Sequence, residues 1–246
     1  MDLYEPIDIP KPVADDVWIV DGPIVKMDMV VTKMPFPTRM TVVRLQNGEL
    51  FLHSPTEFNE ELSRRIDELG PVAHLVSPNK IHYAHIKTWK DHYPNATAWA
   101  SPGVRERAAS QDIEVRFDRD LGDEAEPQWA DDLDQLVFRG SRYMEEIVFF
   151  HRKTKTLILT DLIENFEPDR TPKKYRWLLK LAGITDPDGS TPRDFRMTFW
   201  GNKAEAHRSA QALIDLNPER VIVAHGRWYE TNGTDELRRA LRWALT

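Results

Sequence analysis

Cysteine is absent from the 246-residue chain. That excludes disulfides, thiolate catalysis, cysteine-ligated zinc and iron–sulfur clusters. Any metal must be held by His, Asp, Glu, water or a ligand. Long apolar runs are missing too. The longest ("VWIV", "IVFF", "LIL", "VIVA") fall far short of the roughly 20 residues that span a bilayer. The N-terminal "MDLYEPIDIPKPV" has neither the basic nor the apolar region of a signal peptide, so a soluble, cytoplasmic protein is expected. No Gly-rich phosphate loop and no G-x-S-x-G elbow occurs, and "RGS" at 139–141 is too short to mean anything. No repeat, low-complexity tract or Gly/Ser linker divides the chain, and a single domain over 1–246 is expected.

A hydrophobic content of 41% supports a buried core and excludes a disordered chain. The formal net charge of −7 argues against a general nucleic-acid or anionic-membrane binder. The basic stretch "PKKYRWLLK" reads as one solvated helix face. A small-molecule substrate or anion is the expected partner.

The first half reads mainly as strands. "DVWIVDG" (16–22) and "MTVVRLQNGELFLHSP" (40–55) carry β-branched and aromatic residues, with Asn47-Gly48 as a hairpin turn. In 56–70, Phe58, Leu62, Ile66 and Leu69 recur at helical spacing before Gly70-Pro71. "VAHLVS" (72–77) is a short buried strand, and "KIHYAHIKTWKDHYP" (80–94) reads as a short helix ended by Pro94. In the second half, "QLVFRG" and "EEIVFFHRKTKTLILTDLIE" give strands around a turn at 151–156. Helices follow over 172–184 and 202–216, then a buried strand at 220–226 and a helix at 235–245. Each half runs strands first and helices after, which predicts two sheets packed face to face with helices outside.

Three polar residues stand at strand ends: His82 after strand 72–77, Asp161 after "TLILT", and His225 within "VIVAHG". Two histidines and a carboxylate can bind a first-row metal and leave positions open for water or substrate. The same residues also serve ordinary ends. A histidine after a strand can be a hydrogen-bonded turn residue, and an aspartate there can cap a helix. The residues alone leave both possibilities open.

The order of elements, from "VWIVDGP" to "VIVAHG", resembles the metallo-β-lactamase αββα sandwich, an α/β (α+β) fold of four layers. In that superfamily one strand ends in His-x-His-x-Asp-His, a later one leads into a "GD" aspartate, and a late one ends in "GH". "SPNKIH" (77–82) laid on the first motif puts Ser77 and Asn79 at the first two histidine positions and Ile81 at the aspartate position, and keeps His82. "TD" at 160–161 and "AHG" at 224–226 match the other two motifs. No histidine lies in "RGSRYMEE" (139–146), where Arg142 is closest by count.

The resemblance implies a divergent branch of unknown function whose binuclear site has shrunk to at most one divalent metal, Zn²⁺ or Fe²⁺. His82, Asp161 and His225 would be its ligands. His53 ends a strand where relatives often carry an aspartate, and is a further candidate ligand. Lys80 and Arg142 would bring fixed positive charge to the emptied position and stabilise an anion. His85, three residues after His82, would be an acid–base group or a fourth ligand. Glu145 or Glu146 could replace the lost carboxylate. His74, His92, His151 and His207 read as structural or solvated. Residues 164–217 would form a helical, lid-like segment, with Trp177, Trp200 and Trp228 lining an apolar pocket. The activity implied is metal-dependent hydrolysis of an ester, lactone, thioester or amide. The alternatives are a non-catalytic protein binding a small anion or a partner protein, and a non-haem iron oxidoreductase.

Overall fold

A computed structural model describes residues 1–28 and 33–246. In chain order the strands are β1 (Lys11–Ala14), β2 (Val17–Asp28), β3 (Lys33–Arg44), β4 (Leu50–His53), β5 (Val72–Ser77), β6 (Thr97–Ala100), β7 (Arg119–Asp120), β8 (Leu133–Phe138), β9 (Glu146–His151), β10 (Thr156–Ile158) and β11 (Arg220–Ile222). The helices are α1 (Glu60–Asp67), α2 (Ile86–His92), α3 (Val104–Ser110), α4 (Lys173–Ala182), α5 (Arg193–Met197), α6 (Lys203–Asp215), α7 (Gly233–Ala240) and α8 (Arg242–Leu245). Among the described residues, no helix is long and apolar enough to cross a membrane.

β1 to β7 lie in chain order in one sheet, and β11-β10-β9-β8 form the other. The first sheet changes character midway: β1 to β4 pair antiparallel, whereas β4 to β7 pair parallel. The Asn47-Gly48 turn joins β3 to β4, with Gly48 at φ 86° and its N–H on the Leu45 carbonyl.

Side-chain alternation along each strand builds the layers. Phe51 of β4 and Phe149 of β9 point between the sheets, where they meet Val76, Trp99, Trp129, Ile158 and Ile222. Leu50 and Leu52 point the other way, onto Leu62 and Ile66 of α1 and Trp89 of α2. Val148 and Phe150 of β9 likewise face Ala206, Ala210 and Leu213 of α6 and Leu237 of α7. Both faces of the central strands are therefore covered, which is why β4 and β9 are buried at every position. The result is the four-layer αββα arrangement expected from the sequence.

The helix expected from Lys80 to Pro94 begins only at Ile86. Residues 80–85 form turns instead, because Asn79 Oδ1 accepts the backbone N–H groups of Ile81 (2.9 Å) and His82 (3.1 Å). His82 and His85 thus do not share one helix face.

Candidate metal centre

Parallel pairing puts the ends of β4 and β5 at one edge of their sheet and those of β10 and β11 at one edge of theirs. The contacts of His82 with Ser54 and Asp161 and of His225 with Asp161 join the two edges. The residues just beyond those ends carry the chemistry. Nε2 of His82 lies 3.1 Å from Oδ2 of Asp161, and Nε2 of His225 lies 3.3 Å from Oδ1 of the same carboxylate. One ligand atom from each residue falls within 4.8 Å of the other two. Asp161 and His225 are buried and His82 is nearly so.

The far ring nitrogens fix how the histidines present themselves. His225 Nδ1 is 2.8 Å from the Pro37 carbonyl, which can only accept, so Nδ1 carries the proton. In the neutral ring Nε2 is then bare, buried and without a hydrogen-bond partner, and it faces a carboxylate oxygen. Two lone pairs 3.3 Å apart repel unless a cation lies between them or the ring is protonated. His82 Nδ1 is 2.6 Å from the Ser54 hydroxyl, which can either donate or accept. A tetrahedral ion with bonds of about 2.0–2.2 Å holds neighbouring donors about 3.3 Å apart, so this donor set suits a Zn²⁺-sized cation.

Charge in the cluster is strongly coupled. Burial disfavours an ionised Asp161, but His82 and His225 outweigh it and hold the carboxyl well below the usual range. Burial also opposes the His82 imidazolium, and the facing Asp161 overcomes that and raises its pKa. Protonation of His82 against Asp161 is the state available when no metal is bound.

Further buried groups hold these three in place. Asn79, fully buried, directs Nδ2 at Asp161 Oδ2 (2.7 Å), Thr160 Oγ1 (2.9 Å) and Glu146 Oε2 (3.2 Å). Standing where the superfamily motif has a histidine, it orients the bridging carboxylate and shapes the turn carrying His82. Glu146 accepts the N–H groups of Thr160 (2.7 Å), Asp161 (2.8 Å) and Leu162 (3.1 Å). The buried Arg39 donates through Nη1 to the carbonyls of Val223 and Gly226, 2.8 Å each, on either side of His225. Its Nε bonds Asp21 Oδ1 at 2.8 Å. Gly226 is required at the end of this turn: it has φ 92°, and a Cβ there would lie 2.1 Å from the Asn165 carbonyl oxygen.

The other candidates fall outside the cluster. His53 is buried beside Phe149 with Nε2 unpartnered, and burial and His82 push its pKa down to about 3. It is not among the three converging residues. His85 is half-buried at the start of α2, and burial lowers its pKa, with Glu57 opposing and His82 adding to the shift. Lys80 and Arg142 line a separate cavity of about 530 Å³ whose wall contains none of His82, Asp161 and His225. Neither glutamate replaces the lost motif carboxylate: Glu146 is committed to the 160–162 backbone, and Glu145 pairs with Arg139 at 3.6 Å. Ile81, in the motif's aspartate position, packs against the helix-covered core of the second sheet. Trp177 and Trp200 are 62% and 78% exposed, whereas Trp228 packs at the inter-sheet core, so the three do not come together around one buried pocket.

Sequence reasoning missed Arg39, Ser54 and Glu164. Glu164 is buried with Oε2 unpartnered, and burial, against the pull of His225, pushes its pKa up to about 8. The only signal for it was its place in "DLIE", three residues after Asp161.

Solved structures with the same arrangement include the DIM-1 metallo-β-lactamase exposed to ceftazidime (14% identity, TM-score 0.64, covering 99% of this chain and 98% of that one). The FIM-1 metallo-β-lactamase from Pseudomonas aeruginosa in its mono-zinc form is similar at 12% identity and TM-score 0.63, over 97% and 96% of the two chains. A metallo-β-lactamase from Hirschia baltica is similar at 15% identity and TM-score 0.63, over 96% of each chain. At such identities the fold is what is shared. No curated protein matches the sequence. Residues 14–177 match the family described as "Domain of unknown function (DUF4336)". The chain belongs to that family, a divergent one carrying the metallo-β-lactamase fold.

Proposed function

We propose that this protein is a metal-dependent hydrolase with a mononuclear site, holding Zn²⁺ or Fe²⁺ through His82, Asp161 and His225. The observation that carries the reading is the bare, buried Nε2 of His225 facing Asp161, with His82 on the other oxygen of the same carboxylate. A divalent cation held there supplies Lewis acidity and lowers the pKa of water, as hydrolysis of an ester, lactone, thioester or amide requires.

The protein's own residues do the positioning. Pro37 and Ser54 set the two rings, while Asn79 and the amide-bound Glu146 set Asp161. His85, kept neutral by burial and within electrostatic reach of His82, is the group we assign to accept a proton from the attacking water. Lys80 and Arg142 act on the substrate from the neighbouring cavity and not at the cluster.

The second reading is a non-catalytic protein in which His82 and Asp161 form a structural ion pair. It draws on the replacement of two motif histidines by Ser77 and Asn79, both fully buried and hydrogen-bonded. Thermal melts separate the two. The hydrolase reading expects EDTA to lower the melting temperature and Zn²⁺ to restore it. Melting unchanged by EDTA and Zn²⁺ favours the structural pair.

A further inference from the structure

The cavity beside the metal centre gathers positive charge that the rest of this acidic chain does not neutralise. Lys80, Arg107 and Arg142 line it. Arginines nearby in sequence are paired with carboxylates: Arg105 with Asp120, Arg116 with Asp118, and Arg139 with Asp123 and Glu145. Among the described residues, Arg107 and Arg142 have no carboxylate partner. Lys80 spends its ammonium on the Tyr143 carbonyl and sits 4.0 Å over the Tyr143 ring. Two glutamates also line the cavity, but Glu145 is held by Arg139, which leaves Glu106 facing three cations.

The segment that holds one side of this cavity carries exposed apolar side chains. The loop carrying Arg142 is fastened to α5 and the turn after it: Arg142 N–H donates to the Thr198 carbonyl at 3.0 Å, and the Ser141 and Thr198 hydroxyls lie 2.7 Å apart. The Arg142 guanidinium lies against Gly201, so close that a Cβ there would be 2.9 Å from Nη2. Phe195 and Phe199 turn inward from this segment, which leaves Met197 and Trp200 outward at 70% and 78% exposure. Tyr143 is 44% exposed, and its ring meets Phe195. Six large apolar side chains are exposed among the described residues: Tyr143 lines this cavity, and Met197 and Trp200 stand on the segment that holds Arg142. Exposed apolar surface beside unpaired cations is the pattern of a site that takes a ligand with both characters.

We propose that this cavity binds an anionic amphiphile, its phosphate or carboxylate head held by Lys80, Arg107 and Arg142 and its apolar tail laid over Tyr143, Met197 and Trp200. That such an amphiphile is the substrate rests on the hydrolase reading. The binding does not, and it is measured on the full chain as purified, with and without EDTA.

The test is calorimetric titration with dodecyl phosphate below its micellar concentration, set against inorganic phosphate and monomeric dodecyl maltoside. Dodecyl phosphate is expected to bind one site at least tenfold more tightly than either. The double variant Arg107→Gln/Arg142→Gln should weaken dodecyl phosphate at least tenfold. Met197→Ser/Trp200→Ser should bring it to the level of inorganic phosphate. All four side chains lie at the surface, and circular dichroism checks that the variants fold. Equal binding of the neutral and anionic amphiphiles, or indifference to both double variants, overturns the proposal. So does sedimentation with phosphatidylglycerol-containing vesicles without binding of the monomer, which would make this a membrane-facing surface and not a site for one molecule.

Discussion

His74 and His225 are almost equally buried, at 4% and 3% exposure, and each has one ring nitrogen bonded and the other unpartnered. Their bonded partners differ in kind. Trp99 Nε1, which can only donate, approaches His74 Nδ1 at 3.3 Å, so the proton of the neutral ring sits on Nε2. At His225 the partner is the Pro37 carbonyl, which leaves Nε2 with a lone pair. His74 is boxed in by Phe51, Trp99 and Trp129, with Glu49 3.8 Å away, whereas the lone pair of His225 faces Asp161 and, beyond it, His82. Burial and an unpartnered nitrogen therefore do not by themselves mark a ligand. The tautomer set by the far nitrogen, and what the near one faces, decide between packing and chemistry.

The largest effect is expected where the His225 turn is held. Arg39→Met leaves Asp21 buried with only Lys11 and frees the carbonyls of Val223 and Gly226. Urea denaturation should show a loss of about 3–5 kcal/mol. A loss below about 1 kcal/mol would mean that the turn keeps its shape unaided.

His74 should reveal itself through pH. Burial, partly opposed by Glu49, lowers its pKa to about 4 in the folded protein from 6.5. The stability it contributes is thus fully present above pH 6.5 and is lost as pH falls towards 4. At 1.36 kcal/mol per unit this amounts to about 3 kcal/mol. His74→Phe should remove that share of the slope between pH 6.5 and 4, with the contribution of His53 remaining in the same direction. An unchanged slope would break the contrast drawn between the two histidines.

Smaller effects are expected from the groups around Asp161 and His82. Asn79→Ala should cost about 1–3 kcal/mol, because it strips one partner from each of two buried carboxylates, Asp161 and Glu146. Ser54→Ala removes only the Nδ1 partner of His82. It should cost about 1 kcal/mol while lowering metal affinity about 10–100-fold. Metal affinity unaltered in Ser54→Ala would show that His82 does not depend on that contact for its orientation.

Much of this could be read from the chain before folding. The strand 72–77, the Asn47-Gly48 turn and the αββα order follow from apolar periodicity and turn chemistry, and the motif order brought His82, Asp161 and His225 forward together. Asn79 was visible as a missing histidine, but its hydrogen bonds were not, because Glu146 and Asp161 are 67 and 82 residues away. Those bonds also explain why residues 80–85 turn where a helix was expected. Arg39 was hidden for the same reason: its partners Val223 and Gly226 meet it only across the finished sandwich. Lys80 and Arg142 were expected at the emptied metal position, and spacing could not tell that they would line a separate cavity together with Arg107.

The central claim is that the lone pair of His225 is a metal ligand and the imidazole of His74 is not. Elemental analysis of protein purified without chelator tests it directly, comparing the parent with His225→Ala and His74→Phe. The account predicts about one Zn or Fe per chain in the parent and in His74→Phe, and none in His225→Ala. Sub-stoichiometric metal in the parent that His225→Ala does not lower further would contradict it.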